Sequence, residues 1–142
     1  MKIRKKITIY KEELSNIQNC EIGENCKIHS HVWIGSDVVI GNNVKIQAFT
    51  FIPNGVTIED DCFIGPNVVF VNDLHPPSGK DKWIKINVGK GTSIGASAVI
   101  MASIGNNSMI GAGSVVDEDV PSNEVWKSER AKYYKPINKI QR

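Results

Sequence analysis

Three polar residues near the middle of this sequence are the ones best suited to chemistry. Asn72, Asp73 and His75 stand together, and His75 opens the only His-Pro pair in the chain. A free imidazole has a pKa of about 6.5, so His75 is the natural candidate for a general base. Asn72 is suited to anchoring a polar substrate or the reacting centre, which makes it a second candidate catalytic residue. Asp73 could orient His75 or bind the substrate. Asn and Asp also cap turns, so a structural role for both is the alternative.

A loop is predicted directly after these residues. The apolar periodicity described below stops after Leu74 and resumes at Val88, and the segment between them is rich in proline, glycine and charge. That composition predicts a protruding loop near residues 75–87. Long loops on a rigid scaffold often carry function, so Trp83 is a candidate substrate contact. A neutral insertion is the alternative.

The other histidines and the cysteines do not form a recognisable metal site. His29 and His31 flank Ser30 on a predicted turn, and their spacing relative to His75 is not that of a three-histidine centre. The cysteines are odd in number and contain no C-x-x-C pair, which argues against a disulfide framework or a structural zinc site. They are Cys20, Cys26 and Cys62. We therefore expect no metal.

Length and charge restrict the class of protein. The chain has 142 residues, with 17 Lys and Arg against 15 Asp and Glu, which gives a net charge of +2. This length fits a single domain, 1–142, and the near-neutral balance argues against a nucleic-acid partner. Its apolar runs are far shorter than the roughly 20 residues that span a bilayer, and the basic start lacks the apolar core of a secretory signal. We expect a cytoplasmic location and no membrane partner.

The hydrophobic residues predict an all-β fold with a repeat. The chain contains 20 Ile and 14 Val but only 2 Leu, and β-branched residues favour strands. Large apolar residues recur at every sixth position, namely Ile22, Ile28, Ile34, Ile40, Ile46, Ile52, Ile58, Ile64 and Phe70. A six-residue unit is one short strand and one tight turn, and it cannot bury its apolar face alone. Stacked units share one continuous core, so the pattern predicts a parallel β-solenoid.

The repeat resembles a known family. The segments 22–27, 40–45 and 110–115 are similar to the hexapeptide repeats of left-handed β-helix acyltransferases. The stretch 44–76 resembles the branch that N-acetylates amino sugars attached to nucleoside diphosphates. The resemblance implies a left-handed β-helix with 18 residues per triangular coil, acetyl-CoA as the acyl donor, and a homotrimer in which the loop reaches toward a neighbouring subunit.

Acyl transfer from a thioester requires a nucleophile, a proton acceptor and hydrogen-bond donors for the oxyanion. His75 resembles the histidine of the His-Pro pair in galactoside and maltose O-acetyltransferases, where that residue deprotonates a sugar hydroxyl. A sugar amine needs less assistance than a hydroxyl, because a sizeable fraction of it is already neutral. The leading interpretation is a nucleotide-amino-sugar N-acetyltransferase. The alternatives are a sugar O-acetyltransferase and a non-catalytic trimeric β-helix.

The resemblance also implies where coenzyme A would bind. Ala96 and Ala112 occupy positions at which small residues let the pantetheine arm approach a coil edge. In the C-terminal tail, Arg130, Lys132 and Lys135 are candidates for contacts with its phosphates. The alternatives are that alanine merely suits a tight turn and that the tail is a solvated basic end.

Irregular features of the repeat predict the boundaries of the solenoid. We expect coils over 17–121, a capping strand over 1–16 and a short C-terminal capping tail over 122–142, either helical or lying across the last coil, because solenoid ends need caps. The step from Ile100 to Ile104 is four residues instead of six, which predicts one shortened side and a local distortion.

Overall fold

The computed structural model describes residues 2–3 and 6–140. Residues 1, 4–5 and 141–142, which belong to the predicted N-terminal cap and C-terminal tail, lie outside that description. Across the described residues the chain forms short strands, nearly all of two residues, and no α-helix. The strands are β1 (Lys2–Ile3), β2 (Thr8–Ile9), β3 (Asn16–Ile17), β4 (Glu21–Ile22), β5 (Lys27–Ile28), β6 (Trp33–Ile34), β7 (Val39–Ile40), β8 (Lys45–Ile46), β9 (Phe51–Ile52), β10 (Val56–Ile58), β11 (Phe63–Ile64), β12 (Val69–Phe70), β13 (Ile86–Val88), β14 (Ser93–Ile94), β15 (Val99–Ile100), β16 (Met109–Ile110), β17 (Val115–Val116) and β18 (Val125–Trp126).

The strands build three parallel sheets that form the sides of a solenoid of about seven coils. Sheet A has the order β1-β4-β7-β10-β13, sheet B the order β2-β5-β8-β11-β14-β16-β18, and sheet C the order β3-β6-β9-β12-β15-β17. Each coil visits A, then B, then C, and we name the turns between them the A–B, B–C and C–A edges. The predicted all-β solenoid is confirmed; its left hand stays an inference from the resemblance.

The six-residue column predicted from the sequence is the core. Its members face inward in every coil, where Ile28, Ile46 and Ile64 stack in sheet B with no exposed surface. A second buried column lies four residues after each member of the first, at the turns, and its residues are mostly small or β-branched, such as Cys26, Val44 and Thr50. Thr50 Oγ1 donates to the Gly65 carbonyl in the next coil at 3.1 Å, so this buried hydroxyl ties two coils together.

Recurrent left-handed backbone conformations make the turns tight. Asn25, Asn43 and Asp61 have φ between 57° and 60° at equivalent places on the A–B edge. Asn and Asp tolerate this region better than other side chains. Their side chains also form a ladder, in which Asn43 Nδ2 donates to Asp61 Oδ1 at 2.9 Å. The turn residues therefore stabilise the stacking as well as the local bend.

The coils change length at the loop. Ile22, Ile40 and Ile58 are paired at 18-residue intervals in sheet A, whereas the bridges Val88–Ile104 and Ile104–Val120 follow at intervals of 16. In both later coils the turn at the C–A edge is two residues shorter than in the earlier coils. The predicted short step at Ile100–Ile104 is confirmed, and the same shortening recurs between Val116 and Val120, which the sequence analysis did not identify.

The N-terminal end differs from the predicted cap, and at the C-terminal end the structure has the non-helical alternative. The segment 1–16 was expected to supply one capping strand, but β1, β2 and β3 each pair in parallel with the following coil, so this segment begins a coil. In the tail, Trp126 packs against the core, while residues 129–140 are mostly exposed and contain a 3-10 turn at Ile137–Lys139 rather than an α-helix. No helix among the described residues has the length and apolarity to cross a membrane.

Candidate active site

The predicted loop leaves the C–A edge through a narrow neck. The Asn72 carbonyl accepts a hydrogen bond from the Ile84 N–H at 2.8 Å, which closes the loop at its base. The Asn72 side chain is buried, and its Nδ2 donates to the Asn54 carbonyl of the preceding coil at 3.0 Å. Asn72, predicted as a polar anchor for the substrate, is thus engaged in fixing the loop to the scaffold.

Asp73 organises the first turn of the loop. Its carboxylate accepts hydrogen bonds from the Ser78 N–H at 2.9 Å, the Ser78 hydroxyl at 2.8 Å and the His75 N–H at 3.2 Å. The Ser78 N–H is the main cause that lowers the pKa of this carboxyl below its ordinary value, followed by the Ser78 hydroxyl and the His75 N–H; the Trp83 indole adds a smaller effect. The predicted link between Asp73 and His75 exists, but it runs to the His75 backbone.

The imidazole of His75 is available to a partner molecule. His75 is exposed, and across residues 6–140 its ring makes no hydrogen bond or ring contact. Trp83 lies at the other end of the loop, half-buried, with the Lys80 ammonium 5.9 Å from its ring centroid. The Trp83 Nε1 is buried on the side of the Asp73 carboxylate and makes no close hydrogen bond among the described residues. The loop therefore presents one free imidazole and keeps its indole N–H inside.

The predicted coenzyme A positions lie on another edge. Ala96 and Ala112 occupy equivalent places in successive coils of the B–C edge, where the Gly113 N–H donates to the Ala96 carbonyl at 2.8 Å. A Cβ on Gly95 would come within 2.5 Å of the Ala112 nitrogen, so glycine is required for this close stacking. A Cβ on Gly113 would meet no atom within 4 Å, so the edge is open to an approaching chain.

The basic tail is mostly exposed. Arg130 and Lys132 are exposed, and Lys132 Nζ pairs with Glu129 at 3.1 Å. The Lys135 ammonium lies 4.9 Å from the Tyr134 ring centroid. The tail starts close to the B–C edge, because the Ser128 N–H donates to Ser114 Oγ at 3.1 Å. The residues predicted to contact the phosphates therefore follow a segment that lies beside the edge that carries Ala112.

One chain does not bring the predicted site residues together. The loop with His75 projects from the C–A edge, Ala96 and Ala112 lie on the B–C edge, and sheet C separates these edges. The outer face of sheet C is apolar, with the Trp33 and Phe51 rings stacked at 4.9 Å. Its outward positions after β3 are Trp33, Phe51, Val69, Val99 and Val115.

An aromatic pair that the predicted site did not include lies on the B–C edge. Phe49 has φ 63° and is 60% exposed, and its ring stacks on His31, at φ 58°, with centroids 4.9 Å apart. Bulky residues rarely adopt this conformation, and at most other positive-φ sites the chain has Asn, Asp or Gly. The available signal was the 18-residue spacing of His31 and Phe49, with large rings at a turn position that favours small polar residues.

Two family models match the chain. One, described as bacterial transferase hexapeptide (six repeats), matches residues 37–72, and the other, hexapeptide repeat of succinyl-transferase, matches residues 18–48 and 85–118. Together they cover coils on both sides of the loop. No curated protein sequence matches the chain significantly.

Solved structures with this fold include sugar N-acyltransferases. A variant of perosamine N-acetyltransferase from Caulobacter crescentus, in complex with CoA and GDP-perosamine, has a TM-score of 0.74 and 20% identity over 92% of this chain and 58% of that chain. The acetyltransferase domain of PglB from Neisseria gonorrhoeae, in complex with acetyl coenzyme A, has a TM-score of 0.72 and 17% identity over 89% and 56%. AntD, an N-acyltransferase from Bacillus cereus, has a TM-score of 0.65 and 21% identity over 92% and 77%.

These similarities establish the fold of the chain. The chain spans less than two thirds of the length of the perosamine N-acetyltransferase and of the PglB domain. Those proteins therefore contain residues that have no counterpart in this chain, and their substrates belong to them.

Proposed function

We propose that this hexapeptide-repeat chain is an acetyl-CoA-dependent acetyltransferase acting on the amino group of a nucleotide-linked amino sugar. The observation that carries the proposal is the pairing of an exposed imidazole on the C–A edge with an open, small-residue path on the B–C edge. The structurally similar N-acyltransferases bound to coenzyme A support the same reaction class.

The site would be shared between copies of the chain in a homotrimer. If three parallel solenoids direct their apolar sheet C faces toward a common axis, the C–A edge of each copy meets the B–C edge of the next at the same height. This heterologous contact closes into a ring. It would bring His75 of one copy beside Ala96 of its neighbour and bury the Trp33 and Phe51 rings. The exposed apolar face of sheet C supports this arrangement.

Each predicted residue has a defined part in this reaction. Acetyl-CoA supplies the activated thioester. The amine nitrogen of the sugar attacks the thioester carbonyl carbon, His75 accepts the proton that the nitrogen loses, and the sulfur leaves with the electrons of the broken C–S bond. Asn72 and Asp73 hold the loop that carries His75, and Ala96 and Ala112 leave room for the pantetheine arm. Arg130, Lys132 and Lys135 would contact the phosphates.

Coenzyme A binding tests the enzyme proposal independently of turnover. We expect calorimetry to detect binding of coenzyme A to the full chain and the Ala112→Glu variant to abolish it, because a carboxylate would then project into the path and repel the phosphates. The exposed Met109→Glu change, on the outer face of sheet B, is the matched control for added charge. No binding at millimolar coenzyme A would refute every acetyltransferase interpretation and leave the non-catalytic solenoid.

The acceptor class is tested by removing the base. General-base assistance contributes about 100–10,000-fold, and a hydroxyl depends on it more than an amine does. His75→Ala should therefore retain measurable transfer to an amine acceptor. If His75→Ala loses all transfer to an amino sugar, and the wild-type chain transfers acetyl groups to a sugar hydroxyl, the O-acetyltransferase is favoured instead.

A further inference from the structure

A hollow of about 220 Å³ lies under the loop, on the C–A edge. Asp37, Asn54 and Gly55 line it from the coils, and Lys80, Trp83 and Ile84 line it from the loop. The neck hydrogen bonds at Asn72 hold these two walls together. The hollow is therefore a fixed feature of the scaffold.

Charged side chains surround this hollow. Asp37, Lys80 and Lys85, which also lines it, are exposed and form no side-chain hydrogen bond or ion pair within the described part of the chain. Trp83 contributes its ring surface, because its Nε1 is buried on the side of the Asp73 carboxylate. A carboxylate and two ammonium groups beside an aromatic ring match a ligand that offers both donors and acceptors around an apolar face.

The size and composition of the hollow select among polar ligands. Sites for drug-sized ligands usually measure about 300–1,000 Å³, so this one accommodates a single ring rather than a whole nucleotide sugar. A nucleobase would require flat apolar walls on both sides, whereas only Trp83 and Ile84 supply apolar surface here. A sugar ring has hydroxyl groups around its rim and C–H groups on its faces. It can pair with Asp37 and Lys80 while packing against the indole.

We infer that this hollow binds the hexosamine ring of the acceptor, with Asp37, Asn54, Lys80 and Trp83 as its specificity-determining contacts. The inference rests on the proposed function and extends it by assigning a place to the acceptor. Asp73 connects this subsite to the candidate base, because its carboxylate accepts the His75 N–H and its pKa responds to the Trp83 indole.

Fluorine NMR on the full chain labelled with 5-fluorotryptophan tests the inference directly. The chain has 3 Trp residues, and Trp83→Phe assigns the resonance of interest. Titration with glucosamine should shift the Trp83 signal and leave the other two unchanged. Asp37→Asn should weaken this binding about five- to ten-fold, since one charge-assisted hydrogen bond is lost. Asp37 has φ 63°, which Asn also tolerates, so the variant should fold.

Asp61→Asn is the matched control, because Asp61 occupies a similar turn at φ 60° on the A–B edge away from the hollow. It should leave the glucosamine affinity unchanged. The inference is overturned if Trp83 does not respond to glucosamine, if it responds to uridine diphosphate instead, or if Asp37→Asn binds as tightly as wild type. A response at Trp83 in a chain that never transfers acetyl groups would refute the proposed reaction but retain the sugar subsite. If the chain transfers acetyl groups but Asp37→Asn leaves the KM for the acceptor unchanged, the sugar subsite is refuted and the proposed reaction is retained.

Discussion

A shared site predicts that two inactive variants restore each other. The first variant replaces residues 73–83 by Gly-Gly, which removes His75 and the rest of the loop. The Asn72 carbonyl and the Ile84 N–H are 2.8 Å apart, so two glycines between them complete a four-residue β-turn with this same hydrogen bond. The second variant is Ala112→Glu, which blocks the B–C edge and keeps the loop. Each pure trimer should be inactive, because each site combines one loop with one B–C edge.

The expected recovery follows from the arrangement of the edges. Sheet C separates the C–A and B–C edges of one chain, so a site takes its loop from one copy and its B–C edge from the next. When equal amounts of the variants assemble at random, half of the loops and half of the B–C edges are intact. The two choices are independent in a heterologous ring. About a quarter of the sites should therefore be wild type in both parts.

The assay uses co-expressed variants that carry two different affinity tags. Native mass spectrometry checks that mixed trimers form, and thiol release from acetyl-CoA measures activity. We expect about 25% of the wild-type rate in the mixture and background rates in each pure variant. Mixed trimers with only background activity would refute the shared site. Activity in the loop-less variant alone would show that the loop is not part of the site.

Three further predictions concern the scaffold and the loop. Asn72→Ala removes the 3.0 Å hydrogen bond to the Asn54 carbonyl and should lower the free energy of unfolding in urea by about 1–3 kcal/mol. The exposed Asn138→Ala change should alter it by less than about 0.5 kcal/mol, and equal effects would contradict the role of the neck. The lowered pKa of Asp73 means that its stabilisation of the loop is complete above the ordinary aspartate pKa of about 3.9 and is lost as the pH falls through the lowered value. The protection factors of the loop amides, which compare the exchange rate with the intrinsic rate at the same pH, should therefore fall in acid for wild type. They should not follow that titration in Asp73→Asn, and identical profiles for the two proteins would contradict the role of Asp73. Burial raises the pKa of Cys62 to about 11, so this thiol should react with an aromatic disulfide reagent only after unfolding; rapid labelling of the native chain would contradict the packing.

The sequence was sufficient for the core and for the position of the loop. A period of six in large β-branched residues leaves little alternative to short stacked strands, because side chains at that spacing must share one interior. The loss of the period after Leu74 located the loop, whose neck closes at Asn72 and Ile84. The short step at Ile100 likewise predicted the reduced coil length, since the apolar positions must still align in one column.

The arrangement of the candidate site could not be derived in the same way. Where Ala96 and Ala112 lie relative to His75 depends on how the chain re-enters the coils after the loop, and the insertion between Leu74 and Val88 interrupts the count of residues. The segment 1–16 lacks a regular period, yet its backbone pairs with the coil that follows, because parallel pairing requires no particular side chain. The hollow under the loop depends on Asp37 and Trp83, which are 46 positions apart and which only the folded neck brings together.

Thiol release from acetyl-CoA is the measurement that tests the central claim most directly. The full chain would be incubated with acetyl-CoA and a panel of free amino sugars and nucleotide-linked amino sugars, with and without each acceptor. We predict acceptor-dependent release of coenzyme A by at least one nucleotide-linked amino sugar, with mass spectrometry locating the acetyl group on nitrogen. Absence of acceptor-dependent release across the panel, in a chain that binds coenzyme A and forms trimers, would contradict the account.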